Sequence, residues 1–203
     1  MSKPIFVIAI AGHSGAGKST VIEGLVSRLG NAHSLSLDAY ETSSTYPTAA
    51  KWIKDGADPN RFQTPQFDAD VRALKNGKSI IHPQTNEEMR AKSFLIIEEP
   101  FGRERNSMRE LVNFVVYIDT PLEVAYARKL LRKSDFLPWE DNPSVFINNL
   151  RENLLWYLRV GRSFYGAVGS RVKKNCDLVV DGTFSTEEIV EEIFKSVMEK
   201  QRR

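Results

Sequence analysis

The octapeptide Gly12-His13-Ser14-Gly15-Ala16-Gly17-Lys18-Ser19 constrains this chain more than any other stretch of it. It satisfies G-x-x-x-x-G-K-[ST] at every fixed position. Before it, residues 5–11 form a continuous apolar run of strand length, as expected for a parallel strand covered on both faces. After it, Val21, Ile22, Leu25, Val26 and Leu29 mark a helical stripe that stops at Gly30. A glycine-rich turn between such a strand and such a helix aims successive N–H groups at one phosphate, and the helix N-terminus adds partial positive charge. Lys18 can then reach the β and γ phosphates of a nucleoside triphosphate, and the Ser19 hydroxyl is placed for magnesium. The nucleotide-contacting set expected from the motif is Gly12, His13, Ser14, Gly15, Ala16, Gly17, Lys18, Ser19 and Thr20, with His13 a tolerated residue at a free position.

Further strands read at residues 32–37, 93–97, 113–118 and 178–180. Helices read over residues 67–76, ended by Gly77; from Pro121 to about Arg132; from Val145 to about Tyr165; and after Ser185-Thr186-Glu187-Glu188. Thr120-Pro121-Leu122-Glu123 reads as a capping box with proline at the first helical position. Strands alternating with helices predict an α/β, three-layer P-loop NTPase fold with a mainly parallel sheet of about five strands and a small lid. No repeat, low-complexity tract or Gly/Ser linker divides the 203 residues, so a single domain over 1–203 is expected, its lid at roughly 128–143.

Composition narrows the partners. No stretch approaches the roughly 20 apolar residues of a membrane span, so no membrane partner is expected. Ala9-Ile10-Ala11 imitates a leader cleavage site, but the apolar stretch before it is too short, and a buried strand is the better reading. The net charge of +2 is too balanced to propose a nucleic-acid polymer as partner. A single cysteine, Cys176, gives neither a disulfide framework nor a metal cluster; it suits a small core position beside a strand and a reducing cytoplasm. Charge is uneven along the chain: residues 128–174 hold ten Lys/Arg against four acids, so one region is built to meet negative charge.

The absence of an N-K-x-D motif argues against a signalling GTPase, and the length argues against a large ATPase motor. A small phosphotransferase remains, or a nucleotide-sensing module that does not turn over. Two acids favour catalysis. Asp38 closes the second strand, beside the phosphate loop in an open α/β sheet, where it can take the proton of an attacking hydroxyl. Glu98 ends the third strand and is the natural partner of magnesium, with Glu99 the alternative. Arg128 and Arg132, four apart on one helix, can close over the transferring phosphoryl group. The acceptor is expected beyond Asp38, with Tyr40, Phe62, Arg103 and Arg162 as candidate contacts and Trp52 as a further stacking ring. Arg103, Arg105 and Arg109 are the residues a nucleoside monophosphate kinase would aim at a second phosphate.

These residues resemble the uridine kinase and phosphoribulokinase family of P-loop kinases. The likeness is carried by residues 8–12 with Ser14-Gly15-Ala16-Gly17-Lys18-Ser19-Thr20, by Leu37-Asp38-Ala39-Tyr40, by Phe67-Asp68 leading into Leu74-Lys75-Asn76-Gly77-Lys78, and by Ile96-Ile97-Glu98. Asp119-Thr120 with Arg128 and Arg132, and the run 172–180, follow in the family's order. The resemblance implies an ATP- and Mg2+-dependent kinase in which Asp38 serves as base and a small molecule offers the hydroxyl. There are departures. The family's pyrimidine pocket carries a tyrosine and a histidine where this chain reads Ile80-Ile81-His82-Pro83-Gln84-Thr85-Asn86, and His82 is not at the matching place. Phe62-Gln63-Thr64-Pro65 stands near its ribose-binding aspartate, Phe136-Leu137-Pro138-Trp139 replaces the R-G-R of its lid, and Ala125 or a neighbour replaces an arginine of the lid helix. The resemblance therefore carries over the phosphate chemistry and leaves the acceptor open, together with ATP versus GTP as donor and the oligomeric state.

Overall fold

The computed structural model describes residues 5–136 and 142–202. All five expected strands form: β1 (Phe6–Ala11), β2 (Ala32–Leu35), then, beyond a small hairpin of β3 (Ile80–Ile81) and β4 (Glu88–Met89), β5 (Phe94–Glu98), β6 (Phe114–Asp119) and β7 (Leu178–Asp181). The five long strands make one parallel sheet in the order β2-β5-β1-β6-β7, and the hairpin stands apart as a two-stranded antiparallel pair.

The strands are apolar throughout because both faces are covered. Ile8, Ile10, Ile96, Val116 and Ile118 point to one face, where they pack with Leu25 of α1 (Lys18–Leu29) and Ile193 of α8 (Thr186–Arg202). Their neighbours Val7, Ala9, Leu95, Ile97 and Val115 point to the other. There they meet Trp52 of α2 (Ala49–Lys54), Phe67 and Val71 of α3 (Pro65–Lys75), and Val168 and Val172 of α7 (Arg162–Asn175). Three layers result. Among the described residues no helix is long and apolar enough to cross a membrane.

Local signals set several boundaries. Ser185 and Glu188 cap α8 reciprocally, each backbone N–H bonded to the other's side chain. At the start of α5 (Leu122–Phe136) the outcome differs from the expected box: the Thr120 hydroxyl donates to the Ala16 carbonyl at 3.1 Å and ties β6 to the phosphate loop. The helix expected over 145–165 is α6 (Pro143–Trp156), a π turn over Tyr157–Gly161, and α7 in unbroken succession. Gly161 leaves room there for the Trp156 ring, which would lie 2.4 Å from a Cβ at this position. The short helix α4 (Asn106–Arg109) and 3-10 turns over Leu37–Ser43 and Pro59–Arg61 complete the described elements. Of the expected lid at 128–143, residues 128–136 belong to α5, and residues 137–141 lie outside the described residues. Cys176 is partly buried and free, next to β7.

Candidate active site

A parallel sheet brings all its strand C-termini to one edge, and here that edge carries the chemistry. Register sets the spacing: Ile10 pairs with Glu98, and Ala11 pairs with Tyr117. The phosphate loop leaves β1, Asp38 follows β2, Glu98 ends β5 and Thr120 follows β6, so all four converge. They frame a cavity of about 310 Å³ lined by the loop, Asp38, Glu98 and Arg132, and closed on its far side by aromatic rings.

The loop is tightly held. Gly15 has φ +86°, and a Cβ on it would lie 1.9 Å from the Ala125 carbonyl oxygen of α5, so only glycine fits. Gly17 precedes α1 without any side-chain cap, which leaves the first amides of that helix available to an anion. His13 is more than a tolerated loop residue. Its ring lies beneath the loop with Nε2 2.7 Å from the Thr120 carbonyl and Nδ1 3.3 Å from the Tyr117 hydroxyl. Burial, seconded by Lys18, holds its imidazole below the usual range, so it is neutral at pH 7.

Lys18 is 9% exposed; its Nζ donates to the His13 carbonyl at 3.2 Å and lies 3.3 Å from Glu98 Oε1. Burial lowers its pKa, and Glu98 works against that shift. Ser36 joins the acids: its hydroxyl donates to Glu98 Oε2 at 3.2 Å and accepts the Asp38 N–H at 3.3 Å. Burial first, then the like charge of Glu98, raises the Asp38 carboxyl above the usual carboxylate range. Ser19, Glu98 and Asp38 offer oxygen donors only, the chemistry of a hard cation. Among the described residues there is no cluster of three His, Cys, Asp or Glu able to hold a metal alone.

The two adjacent glutamates have separate places. Glu98 faces the cavity, whereas Glu99 is fully buried and accepts two bonds from Arg105, at 2.5 and 3.1 Å. Arg105 also donates to the Thr64 hydroxyl, the Phe62 carbonyl and Asp68. Burial raises the Glu99 carboxyl against the pull of Arg105; burial also works to lower the guanidinium, but Glu99 and Asp68 together outweigh it and raise it, so it stays charged.

Of the expected substrate contacts, Phe62 lines the cavity and three do not. Tyr40 is 1% exposed and donates to Asp70 at 2.9 Å, so its ring is core. Arg103 is drawn away by Asp177 and by the Val112 and Asn113 carbonyls. Arg162 is exposed and outside the cavity wall. Arg132 lines the cavity, but Arg128 donates to the Gly182 carbonyl at 3.0 Å and is held at the turn before α8. Trp52 is also core, its indole N–H bonded to the Asp58 carbonyl. The aromatic wall instead adds Tyr46, Phe101, Phe164 and Tyr165 to Phe62. No spacing signal singles these rings out from the other aromatics of the chain, because pocket and core rings are alike in sequence.

Several known proteins are similar to this chain. The chain is 24% identical over 188 residues to a uridine kinase of Staphylococcus epidermidis, covering 86% of each protein. It is 27% identical over 140 residues to a uridine kinase of Staphylococcus haemolyticus, covering 62% of this chain and 67% of that protein. Among solved structures, a shikimate kinase from Acinetobacter baumannii superposes with a TM-score of 0.47 at 16% identity, covering 98% of this chain and 96% of that one. A model of the Phosphoribulokinase / Uridine kinase family matches residues 7–135, well over half of the sequence. With its phosphate loop, strand-end acids and family match in agreement, the chain belongs to the phosphoribulokinase and uridine kinase family of P-loop kinases.

Proposed function

We propose that this protein is an ATP- and magnesium-dependent phosphotransferase of the cytoplasm that moves the γ-phosphate to a hydroxyl of a small molecule, a nucleoside foremost. The observation that carries the reading is the meeting of Asp38, Lys18 and Glu98 in one cavity, with the Asp38 carboxyl raised toward the range of a useful base. The uridine kinases it resembles support the nucleoside.

In this mechanism the loop amides and Lys18 hold the triphosphate, and Arg132 approaches the transferring group from α5. Ser19 and Glu98 would hold magnesium, which when bound would supply neutralising charge to the phosphates. Asp38 orients the acceptor hydroxyl and takes its proton. Phosphoryl transfer asks mainly for positioning and charge neutralisation, so these groups suffice.

A monophosphate acceptor fits less well. Arg105 is saturated by Glu99 and Asp68, Arg103 is paired with Asp177, and Arg109 is exposed off the cavity wall. No cation among them is available for a second phosphate. The test is a coupled ADP-release assay across nucleosides, deoxynucleosides, monophosphates and small sugars, with Lys18→Ala as control. Acceptor-dependent release that Lys18→Ala abolishes is expected. Release that survives this substitution, or no release with any acceptor, refutes the proposal.

A further inference from the structure

The cavity uses little of the basic segment: of its arginines only Arg132 lines the wall. Much of the remainder lies along one continuous rod made of α6, the π turn and α7. Residues 143–175 hold six Lys/Arg and a single acid, Glu152, while the rest of the chain is net negative. Two of the six are engaged by the fold: Arg171 donates to the Gly56 carbonyl, and Lys173 pairs with Asp119. Arg151 reaches its neighbour Glu152 at 3.8 Å, with side chains 70% and 71% exposed. Arg159 and Arg162 are exposed and have no carboxylate partner among the described residues.

Apolar residues share this face. Ile147, Arg151, Leu154 and Leu158 recur at helical spacing and so lie on one side of the rod. The contacts with α5 lie on another side, where Tyr157 stacks on Tyr126 at 4.0 Å and Asn153 accepts from Lys133. Ile147 is 59% exposed, Leu154 40% and Leu158 74%, and none of the 14 residues of α6 is buried. The helix is therefore a ridge rather than a groove, and Ile147 to Leu158 spans about 16 Å of it. A contiguous apolar stripe left in water in this way marks a surface that meets something.

Its occupant must be apolar, negatively charged and able to close on a convex edge. A second copy of the same ridge brings more arginine than acid, so the two would repel. A peptide helix seats in a groove, and a ridge offers none. An anionic bilayer meets all three demands. Its acyl boundary takes aliphatic side chains, its headgroup phosphates take guanidinium groups, and it yields around a helix lying in its plane. We infer that the ridge of α6 and the start of α7 docks this protein on an anionic lipid surface, with Ile147, Leu154 and Leu158 in the acyl boundary and Arg151, Arg159 and Arg162 at headgroup phosphates. The contact is peripheral, since no described helix is long and apolar enough to cross a membrane. The overall charge of +2 conceals the surface, because acids elsewhere in the chain offset its arginines.

The experiment is co-sedimentation of the full chain with extruded vesicles of phosphatidylcholine, alone or with about one-third phosphatidylserine to give a negative surface. Binding at least about tenfold tighter to the anionic vesicles is expected. It should weaken as salt rises from about 0.1 M to 1 M, which cuts the Debye length from about 10 to 3 Å. Ile147→Glu and Leu158→Glu should each reduce it by at least about tenfold. Arg151→Gln combined with Arg159→Gln should reduce it by about 10- to 30-fold. All four positions are exposed, so an unchanged thermal midpoint reports intact folding. Sedimentation velocity without lipid runs beside these measurements. No binding to anionic vesicles, equal binding to neutral ones, or binding that survives either class of variant overturns the inference. So does a dimer that Leu158→Glu dissolves, which would assign the ridge to a second copy.

Discussion

The Lys18 ammonium and the Glu98 carboxylate lie 3.3 Å apart at the floor of the cavity, with side chains 10% and 15% exposed. Each is the other's charged partner there, beside the His13 carbonyl on the lysine and the Ser36 hydroxyl on the glutamate. In the proposed function Lys18 would turn toward phosphate oxygens and Glu98 toward the metal, and their contact holds the two side chains in place beforehand. Burial pulls the Lys18 pKa down, and Glu98 opposes that shift.

Asp38 lies across from this pair. Asp38→Asn should lower kcat by about 10²–10⁴-fold and leave ATP affinity unchanged, as read by steady-state kinetics beside nucleotide titration. A nucleotide sensor would keep its output. Because the base works ionised and its pKa is raised, wild-type kcat/KM should fall on the acid side at a pH above the ordinary carboxylate range. Glu98→Gln removes the like charge and should move that limb of the residual activity to lower pH.

The loop itself tolerates little. Gly15→Ala places a methyl into the Ala125 carbonyl at a residue with φ +86°, so the loop must shift from its phosphate-binding shape. A loss of ATP affinity of at least about tenfold, equal to 1.4 kcal/mol, is expected by calorimetry, and wild-type affinity would contradict the geometry.

Glu99 and Arg105 join the end of β5 to the segment that carries Phe62 and Thr64. Removing one partner leaves the other charge buried, so Arg105→Ala or Glu99→Ala should cost about 3–5 kcal/mol in urea denaturation. The double variant should cost clearly less than the two singles added together. Simple additivity would show that the pair is not coupled.

His13 links stability to pH. Its folded pKa is depressed below the ordinary 6.5, so between the two values the unfolded chain binds more protons than the folded one. This contribution to stability is complete above about pH 6.5 and is lost as pH falls below it. His33 shifts in the same direction, under burial and Lys92, so the informative measurement is a difference. The loss of stability between pH 7.5 and pH 5.5 should be smaller in His13→Gln than in wild type; an unchanged loss would exclude this role for His13.

The parts legible in the sequence were those governed by short-range pattern. The phosphate loop follows from residues 12–19, the five strands from apolar runs, and the reciprocal cap of α8 from Ser185 and Glu188. The hairpin of β3 and β4 escaped because two residues per strand leave no period to detect. The π turn escaped because a single inserted residue barely disturbs a helical stripe.

Sequence alone thus determined that a triphosphate-binding loop lies between a buried strand and a helix, in a layered α/β chain with acids at strand ends. Tertiary structure decided which of those acids faces the cavity, since the pleat at the end of β5 directs Glu98 outward and Glu99 into contact with Arg105. It also decided that Tyr40 and Trp52 are core while Phe62, Phe101 and Phe164 are wall. An aromatic side chain has the same composition in either place. Only the packing of distant segments fixes whether its outer face meets protein or open space.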